Sequence, residues 1–208
     1  MRTLLAAALV LIAACDIAPD SPGASDKADY RPQEAGTVDH ALCLLGFTAV
    51  PLRTTTGTGH HLVEVSLNGR PGLFVLDTGA NVSVVEDDHV AAFGLAGSDG
   101  RQRGMALGGA VAARQAPVES LALGGVSIRQ RHIAVADLGR LVQVLGPLAG
   151  GTVHGLIGQD VLNEHRAVID MDRPLLYLIE EDREPAPVPG DRCAAPGEDE
   201  NANSSESR

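Results

Sequence analysis

One carboxylate stands where a carboxylate is costly. In residues 74–85, FVLDTGANVSVV, Asp77 lies between two apolar runs. Buried without partners, such a group is driven toward its neutral form. Gly79 lets the backbone turn tightly, so that amide N–H groups can point back at the carboxylate, and Thr78 adds a hydroxyl that both donates and accepts. A site of this kind can hold a carboxylate in a fixed orientation toward a water molecule. Paired acid–base chemistry needs a second carboxylate, which this stretch alone does not provide.

Other chemistries find less support. Seven His residues, including the adjacent His60 and His61, invite a metal, but no HExxH, His/Cys ligand cluster or EF-hand pattern is present. Surface or strand-edge positions are expected for them, and no metal. The pairs Gly108-Gly109 and Gly150-Gly151 lack phosphate-loop spacing. A phosphoryl-accepting role for Asp77 would call for a second Asp two residues on or a Lys just after it, and Gly79 and Thr78 stand there. The formal charge of −11 argues against a nucleic-acid partner, which requires a positive footprint.

The surrounding pattern is mostly β. HLVEVSL alternates, Asn68-Gly69 is a hairpin signal, and LFVLDTG returns as an apolar strand. SLALGGVSIRQRHIAVADL reads as two strands around Gly124-Gly125, and AVIDM with LLYLI as a hairpin across Asp172-Arg173-Pro174. Helical signals are confined to residues 86–93 and 160–164. The expected fold is a compact, mainly antiparallel all-β domain with one or two short helices.

LNGRPGLFVLDTGANVSVV resembles the active-site segment of the retropepsin-type aspartic proteases. The resemblance returns at VHGLIGQDVLNEHRAVIDMDRPLLYL, residues 153–178, which is similar to the family's Gly-x-Asp/Asn motif and final hairpin. It spans about residues 62–179 and implies a small closed retropepsin-like barrel. The chain has one D-T-G and no D-S-G. The family's mechanism therefore implies a homodimer in which Asp77 meets the Asp77 of a second copy. The two carboxylates would share a proton. One would act as general base on water while the other hydrogen-bonds the scissile carbonyl of a peptide or protein substrate. No cofactor, metal or covalent intermediate is implied.

Other roles carry over position by position. Thr78 matches the residue whose hydroxyl braces the paired loops, and Gly79 and Ala80 match those that let substrate backbone pass close. Asn81, where many viral members carry Asp, is a candidate substrate contact. Gly158 and Asp160 belong to the supporting second motif, with Asp160 expected as a helix N-cap. Gln159 stands where some members use Arg, and His154 where bacterial relatives often have Asp. Residues 103–115, with Gly108 and Gly109 as substrate-binding candidates, are the expected flap; a surface loop of small residues is the alternative. Val82, Val84 and Ile157 are candidate pocket walls or core residues.

The ends read differently. Residues 1–14 have a positive start and an apolar stretch too short to span a bilayer as a helix. LIAAC, ending at Cys15, resembles the lipobox of bacterial lipoproteins, implying lipidation at Cys15; a simple signal peptide with an incidental Cys is the alternative. Asp16 in that setting favours inner-membrane retention. The expected location is the periplasmic side of the cell envelope, with membrane contact through the lipid only. Residues 15–42 read as a flexible tether, 43–183 as the domain, and 184–208 as an acidic disordered tail. Cys43 and Cys193 flank the domain and could pair within a chain or between two. Within one chain, the loop closed would contribute about 4–5 kcal/mol.

An exported aspartic endopeptidase is therefore the first expectation. The alternatives are an inactive peptide-binding or regulatory module on the same scaffold, and an enzyme that cuts only its own tether near residues 18–36.

Overall fold

Asn68 and Gly69 both adopt positive φ, 50° and 72°, as a two-residue hairpin turn requires. The Asn68 side chain pins this turn to the molecule, accepting from the Glu119 and Ser120 amides and donating to Phe93 O. The strands that it joins hold the candidate site. The structure is a computed structural model describing residues 36–95, 101–106, 109–180, 183–189 and 193, all within the unit Arg31–Arg208.

In chain order the elements begin with α1 (Val38–Leu44), β1 (Thr48–Thr54), β2 (His61–Leu67) and β3 (Arg70–Leu76). After β4 (Val84–Glu86) come two short 3-10 turns, then β5 (Arg101–Ala106) and β6 (Gly109–Pro117). β7 (Leu121–Leu123), β8 (Val126–Ile128), β9 (His132–Ala136) and α2 (Gly139–Ala149) follow. The chain closes with β10 (Gly155–Ile157), α3 (Gln159–Glu164), β11 (Val168–Asp170) and β12 (Leu175–Leu178).

The expected all-β, mainly antiparallel domain is what forms. The strand order is β11-β12-β1-β2-β3-β10-β4-β9-β6-β5, with β7 and β8 added beside β2. Among the described residues this path does not return on itself to close a barrel. β1 changes neighbours midway: Thr48, Ala49, Val50 and Pro51 pair with β12, and Leu52, Arg53 and Thr54 with β2. β10 lies between β3, to which it is parallel, and β4, to which it is antiparallel. The segment from Asp77 to Ser83 must therefore cross the end of β10.

Side-chain alternation sorts the central strands onto two faces. Val63, Val65, Leu67 and Phe74 join the main core, whereas Leu62, Leu73 and Val75 join a second cluster with Leu145, Ala149, Val153 and Leu156. The second cluster includes buried residues of α2, so both faces of β3 are covered. This explains why its sequence is a continuous apolar run rather than an alternating one.

Several expectations are corrected. Residues 126–136 form two strands, not one, because β8 ends at Ile128 and β9 starts at His132. Residues 86–93 form no α-helix but two 3-10 turns after β4. Three α-helices form among the described residues. α1 begins at Val38, within the stretch read as a tether, and is capped where Thr37 Oγ1 accepts the His40 amide. Residues 183–189 leave the expected tail and dock on the end of α1: Ala186 N donates to Leu45 O and Val188 N to Leu44 O. Cys43 and Cys193 are joined within the chain, with Cα atoms 5.9 Å apart. Cys15, Gly108, residues 1–14 and most of 15–42 and 184–208 lie outside the described residues.

Candidate active site

β3 delivers Asp77 to the end of the parallel β3–β10 pair, where its amide donates to Ile157 O at 3.0 Å. The chain then turns. Gly79 N donates to Asp77 Oδ1 at 2.8 Å, and Ala80 N to Asp77 O at 3.3 Å. A Cβ on Gly79 would lie 3.2 Å from that same Oδ1, pressing on the carboxylate it serves. Among the described residues no other donor reaches the Asp77 carboxylate. Asp77 is half-buried, not sequestered, and Thr78, Gly79, Asn81 and Val82 around it are exposed.

The second motif holds this turn from beneath. Gln159 N donates to Ala80 O at 2.8 Å, and Gln159 Nε2 to Thr78 O at 2.7 Å. Gly158 is required by space: its φ of −106° suits any residue, but an added Cβ would lie 2.7 Å from Val82 C and O and 2.8 Å from Ala80 O. Its amide donates to Ser83 Oγ at 3.0 Å.

Ser83 and Asp160 complete the support. Asp160 accepts Ser83 N at 2.9 Å, Ser83 Oγ at 2.7 Å, Gln130 Nε2 at 2.6 Å and Val161 N at 2.9 Å. The expectation that Asp160 is an N-cap is corrected. Gly158 occupies the cap position, and Asp160 sits in the first turn of α3, reaching back to the far limb of the Asp77 loop. Asp160 is committed to these four donors. Ser83 and Gln130 went unnoticed in sequence. Ser83 had a signal, a polar residue at an apolar alternation point that must find partners when buried; Gln130 had none.

The remaining candidates are distributed. Val82 is 50% exposed beside the Asp77 turn, Val84 is nearly buried, and Ile157 is fully buried, so Ile157 is core and not a pocket wall. β5 and β6 form a hairpin over the expected flap, and Gly109 pairs with Ala106. β6 pairs with β9 only from Ala113 to Pro117, so among the described residues the half of the hairpin toward Gly109 has no further strand beside it. His154 turns away from this chemistry. Its Nδ1 accepts the Leu73 amide at 3.1 Å, and its ring lies 4.8 Å from that of His89 and 5.4 Å from that of Phe93. Burial holds its pKa below the ordinary imidazole value, and His89 adds to the effect. His61 is buried, its Nδ1 3.1 Å from Thr54 Oγ1. Among the described residues no three His, Cys, Asp or Glu side chains are arranged to hold a metal ion.

The geometry thus presents one accessible carboxylate, fixed through one oxygen, on a turn that three backbone and side-chain contacts hold in place. Residues 63–161 match a family model described as aspartyl protease, a stretch containing Asp77, Ser83, Gln130, Gly158, Gln159 and Asp160. The chain is similar to the EIAV protease complexed with the inhibitor HBY-793, with 23% identity over 57% of this chain and 99% of that one and a TM-score of 0.43. It is also similar to a retropepsin-like aspartic protease from Rickettsia conorii, with 18% identity over 64% of this chain and 98% of that one and a TM-score of 0.44. No curated protein matches the chain.

Proposed function

We propose that this chain is one protomer of a retropepsin-like aspartic endopeptidase. The observation that carries the reading is the Asp77 turn: an accessible carboxylate, oriented by Gly79 N–H, inside a stretch that matches the aspartyl protease model. A second copy supplies the other Asp77 across a two-fold axis. The ionised member removes a proton from a water held between the two. The resulting nucleophile attacks the scissile carbonyl as the protonated member donates to its oxygen. Collapse of the tetrahedral species passes a proton to the leaving nitrogen, and the pair returns to its starting protonation. In this reading Thr78 braces the paired turns, and Ala80 and Asn81 line the path of the substrate backbone. The β5–β6 hairpin closes over the peptide and excludes water.

Export fits the same reading. An intrachain disulfide is the kind of crosslink that persists in an oxidising compartment, which supports export; the anchor at Cys15 rests on the lipobox resemblance of LIAAC. Digestion of a diverse peptide library by wild-type protein and by Asp77→Asn, from mildly acidic to neutral pH, tests the catalytic assignment. Cleavage lost in the variant, with its melting temperature kept, is the expected result; equal turnover by both proteins would refute it. The alternative is a peptide-binding module on the same scaffold. A protein that stays monomeric in sedimentation at high concentration and binds peptides without cutting them would establish that alternative.

A further inference from the structure

We infer that Gln159 is a positioning residue that sets Asp77 through the single peptide unit between Thr78 and Gly79. The carbonyl of that unit accepts Gln159 Nε2 at 2.7 Å, and its N–H donates to Asp77 Oδ1 at 2.8 Å. A peptide unit is planar, with carbonyl and N–H pointing in opposite directions, so fixing one end fixes the other. Gln159 therefore reaches the carboxylate without touching it. The chain is a relay of three groups: side-chain amide, backbone amide, carboxylate.

Three features make this more than a chance contact. Gln159 is the first residue of α3, and its own amide is held by Ala80 O at 2.8 Å, so the side chain grows from a fixed point on the same loop. The residue type is constrained, because a carbonyl oxygen can only accept and the end of the Gln159 side chain must present a donor to it. The relay also has an electrostatic consequence. A carbonyl that accepts a hydrogen bond polarises its peptide and makes the attached N–H a better donor. Since Gly79 N–H is the one donor reaching the Asp77 carboxylate among the described residues, its strength bears directly on how that group is held.

The inference rests on the protease reading for its kinetic consequence but not for its physical content, and two experiments separate them. In the first, 15N-labelled protein is followed by NMR at the Gly79 amide. Gln159→Met, which keeps length and removes the donor, should move this amide upfield and speed its hydrogen exchange about tenfold, the equivalent of one lost hydrogen bond. Gln159→Arg restores a donor and should restore both signals. An unchanged Gly79 amide in Gln159→Met overturns the relay.

In the second, the variants are assayed for peptide cleavage. Gln159→Met should lower kcat about tenfold with KM nearly unchanged, because the loss falls on orientation of the reacting group and not on substrate contacts. Gln159→Glu, which sets an acceptor against the Thr78 carbonyl, should be worse, and Gln159→Arg should recover most of the rate. A Gln159→Glu variant as active as Gln159→Arg overturns the proposal, since a purely structural role would not follow the donor. Wild-type protein that cleaves nothing would sink the protease reading alone, and the Gly79 amide would still decide the relay.

Discussion

Ser83 and Asp160, 77 residues apart in sequence, are joined twice: backbone N–H to Oδ2 at 2.9 Å and hydroxyl to Oδ1 at 2.7 Å. The same hydroxyl accepts Gly158 N–H at 3.0 Å. One side chain thereby ties the outgoing limb of the Asp77 loop to both the strand end and the helix that support it. Ser83→Ala leaves Gly158 N–H and one carboxylate oxygen short of a partner, at a cost of about 2 kcal/mol. Asp160→Ala strands more donors, and about 3 kcal/mol is expected. Urea denaturation of the two single variants and the double should show strong non-additivity, the double costing well under the sum. Additive losses would mean the pair is not a coupled unit.

Gly158 offers a sharper separation of stability from activity. Gly158→Ala pushes a methyl into the Val82 backbone and should cost about 1–3 kcal/mol by overpacking. The strain falls on the loop that carries Asp77, so peptide cleavage should drop more than the fraction folded. Activity that tracks the folded fraction alone would contradict this.

His154 gives the domain an acid-side weakness. Its folded pKa lies below 6.5, through burial first and His89 second, so below pH 6.5 the unfolded chain takes up a proton that the folded chain resists. This contribution to stability is present above pH 6.5 and is lost as pH falls toward the folded value. His154→Asn keeps an acceptor for the Leu73 amide and removes the titration. Melting curves between pH 7.5 and 5, in about half-unit steps, should therefore be flatter for the variant than for wild type.

Glu86 works in the opposite sense. It is buried on β4, where it accepts the Leu138 amide at the start of α2, and burial raises its pKa above 4.5. Its contribution is present below pH 4.5 and is lost as pH rises through the folded value. Glu86→Gln keeps the acceptor and abolishes the charge, so the variant should melt higher than wild type at neutral pH and no higher at pH 4. A variant less stable at neutral pH would show that the charge itself stabilises α2.

The contrast between Asp77 and α2 shows what one sequence can disclose. Asp77 was legible because a charge inside an apolar run contradicts its surroundings and because the residue whose amide serves it, Gly79, is two residues away. The β2–β3 hairpin was legible because alternation and turn residues agree locally. α2 was not: GRLVQVLGPLA contains two Gly and a Pro, and no Ser, Thr, Asp or Asn precedes it at the cap. The Leu138 amide at its cap is served by Glu86, 52 residues upstream, the Gly139 amide by Asp137, and its last carbonyl by Arg53, 96 residues upstream. Asp160 misled for the related reason that helix capping is a local rule, while its strongest partners come from Ser83 and Gln130. The distant partners of Asp160, Ser83 and Gln130, left no local pattern from which they could be assigned.

The Cys43–Cys193 bond makes a covalent ring of the residues that it encloses. A single backbone cut anywhere inside that ring, whatever makes it, releases nothing. Both pieces travel as one species on a non-reducing gel and separate only after a thiol is added. Any search for self-cleavage within the domain that omits the reductant would therefore report an intact protein.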